Sequence, residues 1–238
     1  MKLMEIVYDL KMIISNGRIS DDTVFDNRLL VTWINKQRAL WLYNEYNKGR
    51  EVMNNEVQAL KEVEFAVIDG NISNSIMTNC KLLQSIQTIP RTMAIQIRDM
   101  ITAVRPLQVT SQRFNYVSRE EAVYSGNGKF NRDMLFIFKH GDRLYIKYGD
   151  KNERTQIPKV LRVEGVFENP LEVDIFNGTI DNIWDGVDEY PISARFIEYL
   201  KGEILKSNVT SLLTYPEDRS NNDNYDDKML TTNEQGKK

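Results

Sequence analysis

Between Gly17 and Gly49 the chain contains no glycine and no proline. That stretch carries Phe25, Leu29, Leu30, Trp33, Ile34, Leu40, Trp41 and Tyr43. It predicts one long helix, from about Asp22 to Tyr46 or slightly beyond. Ser20-Asp21-Asp22 supplies a cap and places acids in the first turn, where the helix dipole favours them. Apolar side chains fall on more than one side of this helix. A helix of that kind is either central to its domain or shared with a neighbouring subunit. Trp33 and Trp41 are eight positions apart, so they lie about 80° apart on the wheel. Core packing is the simpler role for them. An intersubunit anchor is the alternative, because Trp and Arg, here Arg38 between the two, are over-represented at interface hot spots.

A shorter helix precedes it. Leu3, Ile6, Val7, Leu10, Ile13 and Ile14 form an apolar stripe over Leu3–Ile14, and Asn16-Gly17 supplies a left-handed stop. From about Glu56 the character changes to short β-rich pieces. Val57, Val63, Phe65, Val67 and Ile68 alternate only in part, and Asp69-Gly70-Asn71 is a turn signal. Leu82–Ile86, Thr92–Ile97, Gln108–Arg113 and Lys159–Phe167 are further strand candidates, the last closed by Glu168-Asn169-Pro170. Met134–Lys139 and Arg143–Tyr148 are the clearest, flanking His140-Gly141-Asp142 as a hairpin. A helix returns after Pro191, with its stripe in Phe196, Ile197, Leu200, Ile204 and Leu205.

The expected fold class is therefore α+β. Long N-terminal helices (about 3–50) and a C-terminal helix (about 191–206) bracket an antiparallel module of short strands (about 56–175). The body is expected to occupy residues 1–215. Residues 216–238 are expected to form an extended polar C-terminal arm. Its sizeable apolar residues are Tyr225, Met229 and Leu230, too few to offset its ordering entropy with a core of its own. Any order in it must come from another surface, most simply a neighbouring chain. Tyr215, Tyr225, Met229 and Leu230 join Trp33, Arg38 and Trp41 as candidate partner-binding residues.

Composition narrows the chemistry. Lys and Arg number 31 against 34 Asp and Glu, a net charge of −3, so no basic field holds nucleic acid by its phosphates. One cysteine, Cys80, and one histidine, His140, exclude a disulfide framework, a cysteine zinc cage and any site needing two imidazoles. The opening residues carry Glu5 and Asp9 in the apolar run and do not read as a signal peptide. No stretch approaches the roughly 20 apolar residues of a membrane span, so a cytosolic site of synthesis is expected.

The local motifs yield no catalytic set. Gly126-Asn127-Gly128-Lys129 lacks the first Gly and the Ser or Thr of a phosphate loop; Val123 and Phe130 stand there. A calcium loop starting at Asp181, with Asp185, Gly186 and Glu189, would need oxygen ligands where Ile183 and Ile192 stand. His140 reads as a turn residue and Cys80 as a packing residue. Glu120-Glu121 and Asp188-Glu189 read as solvated faces. No catalytic residue, cofactor or metal is expected.

Several pieces taken together resemble a known family. They are the opening helix, Ile19-Ser20-Asp21-Asp22 with Arg28, Ile34 and Gln37-Arg38-Ala39, then Val57–Asp69. Cys80-Lys81-Leu82-Leu83 follows, running to Thr88-Ile89-Pro90. Gly165-Val166-Phe167-Glu168-Asn169-Pro170 and Glu189-Tyr190-Pro191-Ile192 complete the set. In order and spacing the chain resembles head–tail connector proteins (adaptor or ring proteins) of short-tailed bacteriophages, most closely the ring proteins of crAss-like phages. The resemblance implies a structural virion protein at the head–tail junction, without an active site. It implies a ring, usually of twelve subunits, docked beneath the portal, continuing the DNA channel without sequence-specific DNA binding and receiving tail proteins. Rings arise from head-to-tail contacts that close, and an ordered polar arm fits subunits that embrace one another. The alternative is a phage or bacterial regulatory module acting as a monomer or dimer. An enzyme with a carboxylate-based site, or another layer of the same joint such as a tail hub, would be further readings.

Overall fold

In a computed structural model the described residues are 1–17, 25–68, 81–95, 98–107, 114–125, 134–148, 159–179 and 189–210. Helix α1 spans Leu3–Ile14. Its stripe of Leu3, Ile6, Val7 and Leu10 is buried, and Asn16 and Gly17 take positive φ at its end. Helix α2 spans Asn27–Asn47, so it starts later than the expected Asp22. Asp26 occupies the extended cap position. Phe25, one residue before it, packs into the same cluster as Leu30, the arrangement of a hydrophobic staple.

The strands are β1 (Gln58–Ile68), β2 (Lys81–Ser85), β3 (Ala94–Ile95), β4 (Arg98–Asp99), β5 (Ile101–Pro106), β6 (Phe114–Tyr116), β7 (Leu135–His140), β8 (Arg143–Tyr148) and β9 (Val160–Gly165). Helix α3 (Arg119–Tyr124) lies between β6 and β7, and α4 (Pro170–Phe176) follows β9. Helix α5 (Ala194–Ile204) continues into a π-helical turn, Leu205–Val209. Seven strands form one sheet in the order β5-β9-β1-β2-β8-β7-β6, and β3-β4 is a separate hairpin. Every pair in the large sheet is antiparallel except β6 with β7. The sheet curls until its edge strands β5 and β6 touch.

Two register shifts explain where the sequence pattern misled. The expected short pieces around Val57–Ile68 are one strand of 11 residues. Its register slips between Leu60 and Val63, leaving Lys61 and Glu62 exposed side by side and breaking the period of two. Strand β5 was not expected at all. Its buried residues, Ile101 and Val104, are three apart because a second shift lies between Ile101 and Ala103. Gly165 sits opposite that shift. A Cβ there would stand 2.7 Å from the Met100 carbonyl oxygen, an approach only glycine permits.

Of the expected strand Thr92–Ile97, Ala94–Ile95 is strand and Thr92 is bridged to Phe167; residues 96 and 97 lie outside the described residues. Gln108–Arg113 lies outside the described residues. The β7–β8 hairpin turns through Gly141 and Asp142, with Gly141 at φ +61, as a two-residue turn led by glycine requires. Helices α3 and α4 were also unforeseen. Ser118 and Glu121 form a capping box on α3, and Asn169 caps α4 with Pro170 at its start.

Two cores result. One gathers α1, α2 and α5, and the other fills the curled sheet. Helix α4 stands between them: Leu171 enters the helical core and Val173 the sheet core. Arg38 joins the two layers. It is fully buried. Its Nε donates to the Pro191 carbonyl and its Nη1 to the Phe167 carbonyl, both at 2.9 Å. Nearby, the Tyr190 hydroxyl donates to Asn35 Oδ1 at 2.8 Å, and Asn35 Nδ2 donates to Asn169 Oδ1 at 3.2 Å. Arg38→Met keeps the length of the side chain but leaves both carbonyls buried without donors. A loss of about 2–4 kcal/mol is expected, read as a lower midpoint in denaturant unfolding.

Candidate interaction surface

The inner side of α2 presents Leu30, Val31, Ile34, Arg38, Leu42 and Tyr46, all buried. The opposite side presents Leu29, Lys36, Leu40 and Tyr43, spaced three, four and seven positions apart so that they share one face. Leu29, Leu40 and Tyr43 are 38%, 48% and 44% exposed. This is the second apolar side foreseen in the sequence, and nothing among the described residues covers it. It borders an open groove of about 540 Å³, whose far wall is Met93 and Ala94 of the β3 segment with Glu168 and Asn169.

The tryptophans are half-buried; Trp33 borders one side of that face and Trp41 lies further round the same side, toward α5. Trp33 packs on Phe25 with ring centroids 5.6 Å apart. Trp41 packs on Phe196 of α5 at 4.0 Å. The Arg50 guanidinium lies over both rings of that pair, 4.7 Å from Trp41 and 4.8 Å from Phe196. Arg50 Nη2 also donates to Glu56 Oε1, while the Tyr46 hydroxyl donates to Glu56 Oε2 at 2.9 Å. The fully buried Glu56 thus sets the turn after α2, which in turn sets the Trp41–Phe196 stack. Arg38, between the tryptophans in sequence, points inward to its own chain's carbonyls. Tyr215, Tyr225, Met229 and Leu230 lie outside the described residues. Leu40 and Tyr43, which are not among the candidates drawn from the sequence, stand on the side of α2 away from the core.

Lysines fasten other elements. Lys147 Nζ, nearly buried, donates to the carbonyls of Ala122, Val123 and Ser125 at 2.9, 3.0 and 2.7 Å, closing the C-terminal end of α3. Lys201 Nζ of α5 pairs with Asp9 of α1 and Glu198, both at 2.9 Å. Lys139 Nζ reaches Asp99 at 3.0 Å, and the Tyr116 hydroxyl donates to Asp99 at 3.2 Å, holding the β3–β4 hairpin against the sheet.

The chemistry stops there. The rejected phosphate loop, the calcium-like run 181–188 and Cys80 lie outside the described residues. His140 ends β7 with its ring 6.2 Å from that of Tyr145. Glu120 and Glu121 are exposed; hydrogen bonds from the Ser118 backbone and hydroxyl, then the nearby Arg98, lower the Glu121 pKa. Among the described residues no group of His, Cys, Asp and Glu could hold a metal ion, and no helix is long and apolar enough to cross a membrane.

The perturbed groups are structural. Burial, then the Glu56 carboxylate, raises the Tyr46 pKa far above the tyrosine range. Burial, then Asp99, does the same to Tyr116. Burial raises that of Tyr190 against the opposing pull of Arg38, and burial lowers that of Arg38 itself. Above about pH 10 the unfolded chain loses tyrosine protons that the folded chain retains. The unfolded state then binds fewer protons, so stability present below that pH is lost as pH rises. Each tyrosine adds a slope of roughly 1.4 kcal/mol per pH unit. Unfolding followed from pH 9 to 11.5 should show this fall, and Tyr190→Phe should make it shallower.

The model of a protein family, phage tail ring protein 2 (CrAss_Ring_2), matches residues 5–228. No curated protein matches the chain.

Proposed function

The chain belongs to the phage tail ring protein 2 family, and from that premise we propose that twelve copies close into a ring in the head–tail connector beneath the portal. Family membership makes it a structural phage protein of the virion. In the proposed arrangement the ring continues the DNA channel and offers a platform to tail proteins. The helical layer forms the interlocked part. The curled sheet faces the next layer of the joint. Residues 216–238 reach a neighbouring copy or the portal.

The observation that carries this reading is the uncovered apolar face of α2. A helix that fills its core with one side and displays Leu29, Leu40 and Tyr43 on the other has a second packing partner. In a ring that partner is the adjacent copy, with the half-buried Trp33 at the border of the face and Trp41 beyond it as anchors. The overall charge of −3 supports a lumen that does not trap passing phosphates.

Leu40→Glu with Tyr43→Glu changes exposed side chains and should leave the thermal midpoint of the subunit within a few degrees. The same pair should abolish ring formation with portal protein, read by mass photometry; rings that form normally would remove α2 from the interface. Deleting Asp218–Lys238 should likewise leave a folded, soluble subunit that no longer joins connector complexes. A truncated chain that assembles like the full one would show that the arm has no part in the joint.

A further inference from the structure

At the first turn of α5, Arg195 is exposed, with its guanidinium stacked 4.7 Å above the Phe196 ring. Among the described residues no carboxylate pairs with it; its polar contact there is the Met53 sulfur at 3.8 Å. Phe196 is held against Trp41, and Arg50 lies over both. Arg50 commits one nitrogen to Glu56, while its Nη1 is buried without a partner. Arg195 therefore presents a positive charge restricted by stacking, beside two aromatic rings and the Arg50 guanidinium, whose own charge Glu56 pairs. Stacking has already restricted Arg195, so binding there loses less side-chain entropy than at a free arginine.

We infer that this patch receives the acidic run Asp223, Tyr225, Asp226 and Asp227 from the next copy in the ring. The inference rests on the ring reading and names the socket for its arm. Charge is complementary: carboxylates meet guanidinium groups in a bidentate geometry that arginine favours. Tyr225, among the aspartates, brings an aromatic ring to the half-buried Trp41 and Phe196. The ring reading points to the neighbour as the donor, and the two ends of α5 are disposed for it. Helix α5 runs antiparallel to α2, with Phe196 beside Trp41 and Ser207 bonded to Gln37 at 3.2 Å. At Thr210 the chain is therefore heading away from Arg195. The patch lies at one end of α5 and the root of the arm at the other. A head-to-tail ring needs just such an arrangement, each copy giving at one end and receiving at the other. The 13 residues from Thr210 to Asp223 can span roughly 40 Å when extended.

The test uses full-length protein with portal, scored as rings by mass photometry. Arg195→Glu alone, and Asp226→Lys with Asp227→Lys alone, should each raise the concentration needed for assembly by tenfold or more, with the thermal midpoint of the subunit unchanged. Mixed in equal amounts, the two defective proteins should assemble again, because each reversed socket then meets a reversed arm on its neighbour. If the arm folds onto its own chain, the mixture stays defective while all three changes in one chain restore assembly; that result overturns the inference. So does normal assembly of either variant alone. If the unaltered protein forms no ring with portal, the ring reading itself fails.

Discussion

A single guanidinium holds the two layers of this molecule together. Arg38 leaves the inner face of α2 and bonds carbonyls at Phe167, just after β9, and at Pro191, just before α5. Neither carbonyl belongs to a regular element, so neither has a ladder partner, and a buried carbonyl left bare is costly. Lysine would serve poorly, since one ammonium cannot present donors in two fixed directions as a planar fork can. The three segments that meet here are Gln37-Arg38-Ala39, Gly165–Pro170 and Glu189–Ile192. These are three of the pieces by which the sequence resembles ring proteins. Residues more than 150 positions apart thus meet in one joint.

That joint fixes how α2 is displayed. Its inner side is pinned by Arg38 and by the Asn35–Tyr190 and Asn35–Asn169 bonds. The turn after it is pinned by Glu56, Arg50 and Tyr46. Lys201 ties α5 to α1, and Lys139 ties the β3–β4 hairpin to the sheet. The outer face of α2 and the hairpin segment across the groove are therefore presented in a set relation. A subunit that meets the same contact again and again around a ring benefits from such rigidity, because any ordering cost would recur at every joint.

The helices were legible wherever one apolar stripe faced one core. Helix α1 falls on its expected Leu3–Ile14, and the β7–β8 hairpin lies within a residue of its expected bounds. The strands that escaped or fragmented, β5 and β1, each contain a register shift that erases alternation. Helices α3 and α4 are too short to show a period, although Ser118 with Glu121 and Asn169 with Pro170 are their cap signals. The candidate surface was legible as a helix with too many apolar sides. Which residues face outward was not, because tryptophan and arginine draw attention by type. Only packing shows that Arg38 turns inward while Leu40 and Tyr43 turn out.

If the outer face of α2 is the contact of the proposed ring, its charge pattern suits a head-to-tail joint better than a twofold pair. Leu29 and Tyr43 mark its ends, and Lys36 lies at its midpoint, exposed. Two copies pairing this face through a twofold axis at its centre would set Lys36 against its own counterpart, and like charges in direct opposition are unfavourable. Sliding the axis to avoid that contact would uncover Leu29 or Tyr43. A head-to-tail contact has no such conflict, since Lys36 then meets a different surface of the neighbour. In the proposed ring, the same exposed lysine that makes the face look imperfect as an apolar patch is thus accommodated by a head-to-tail contact.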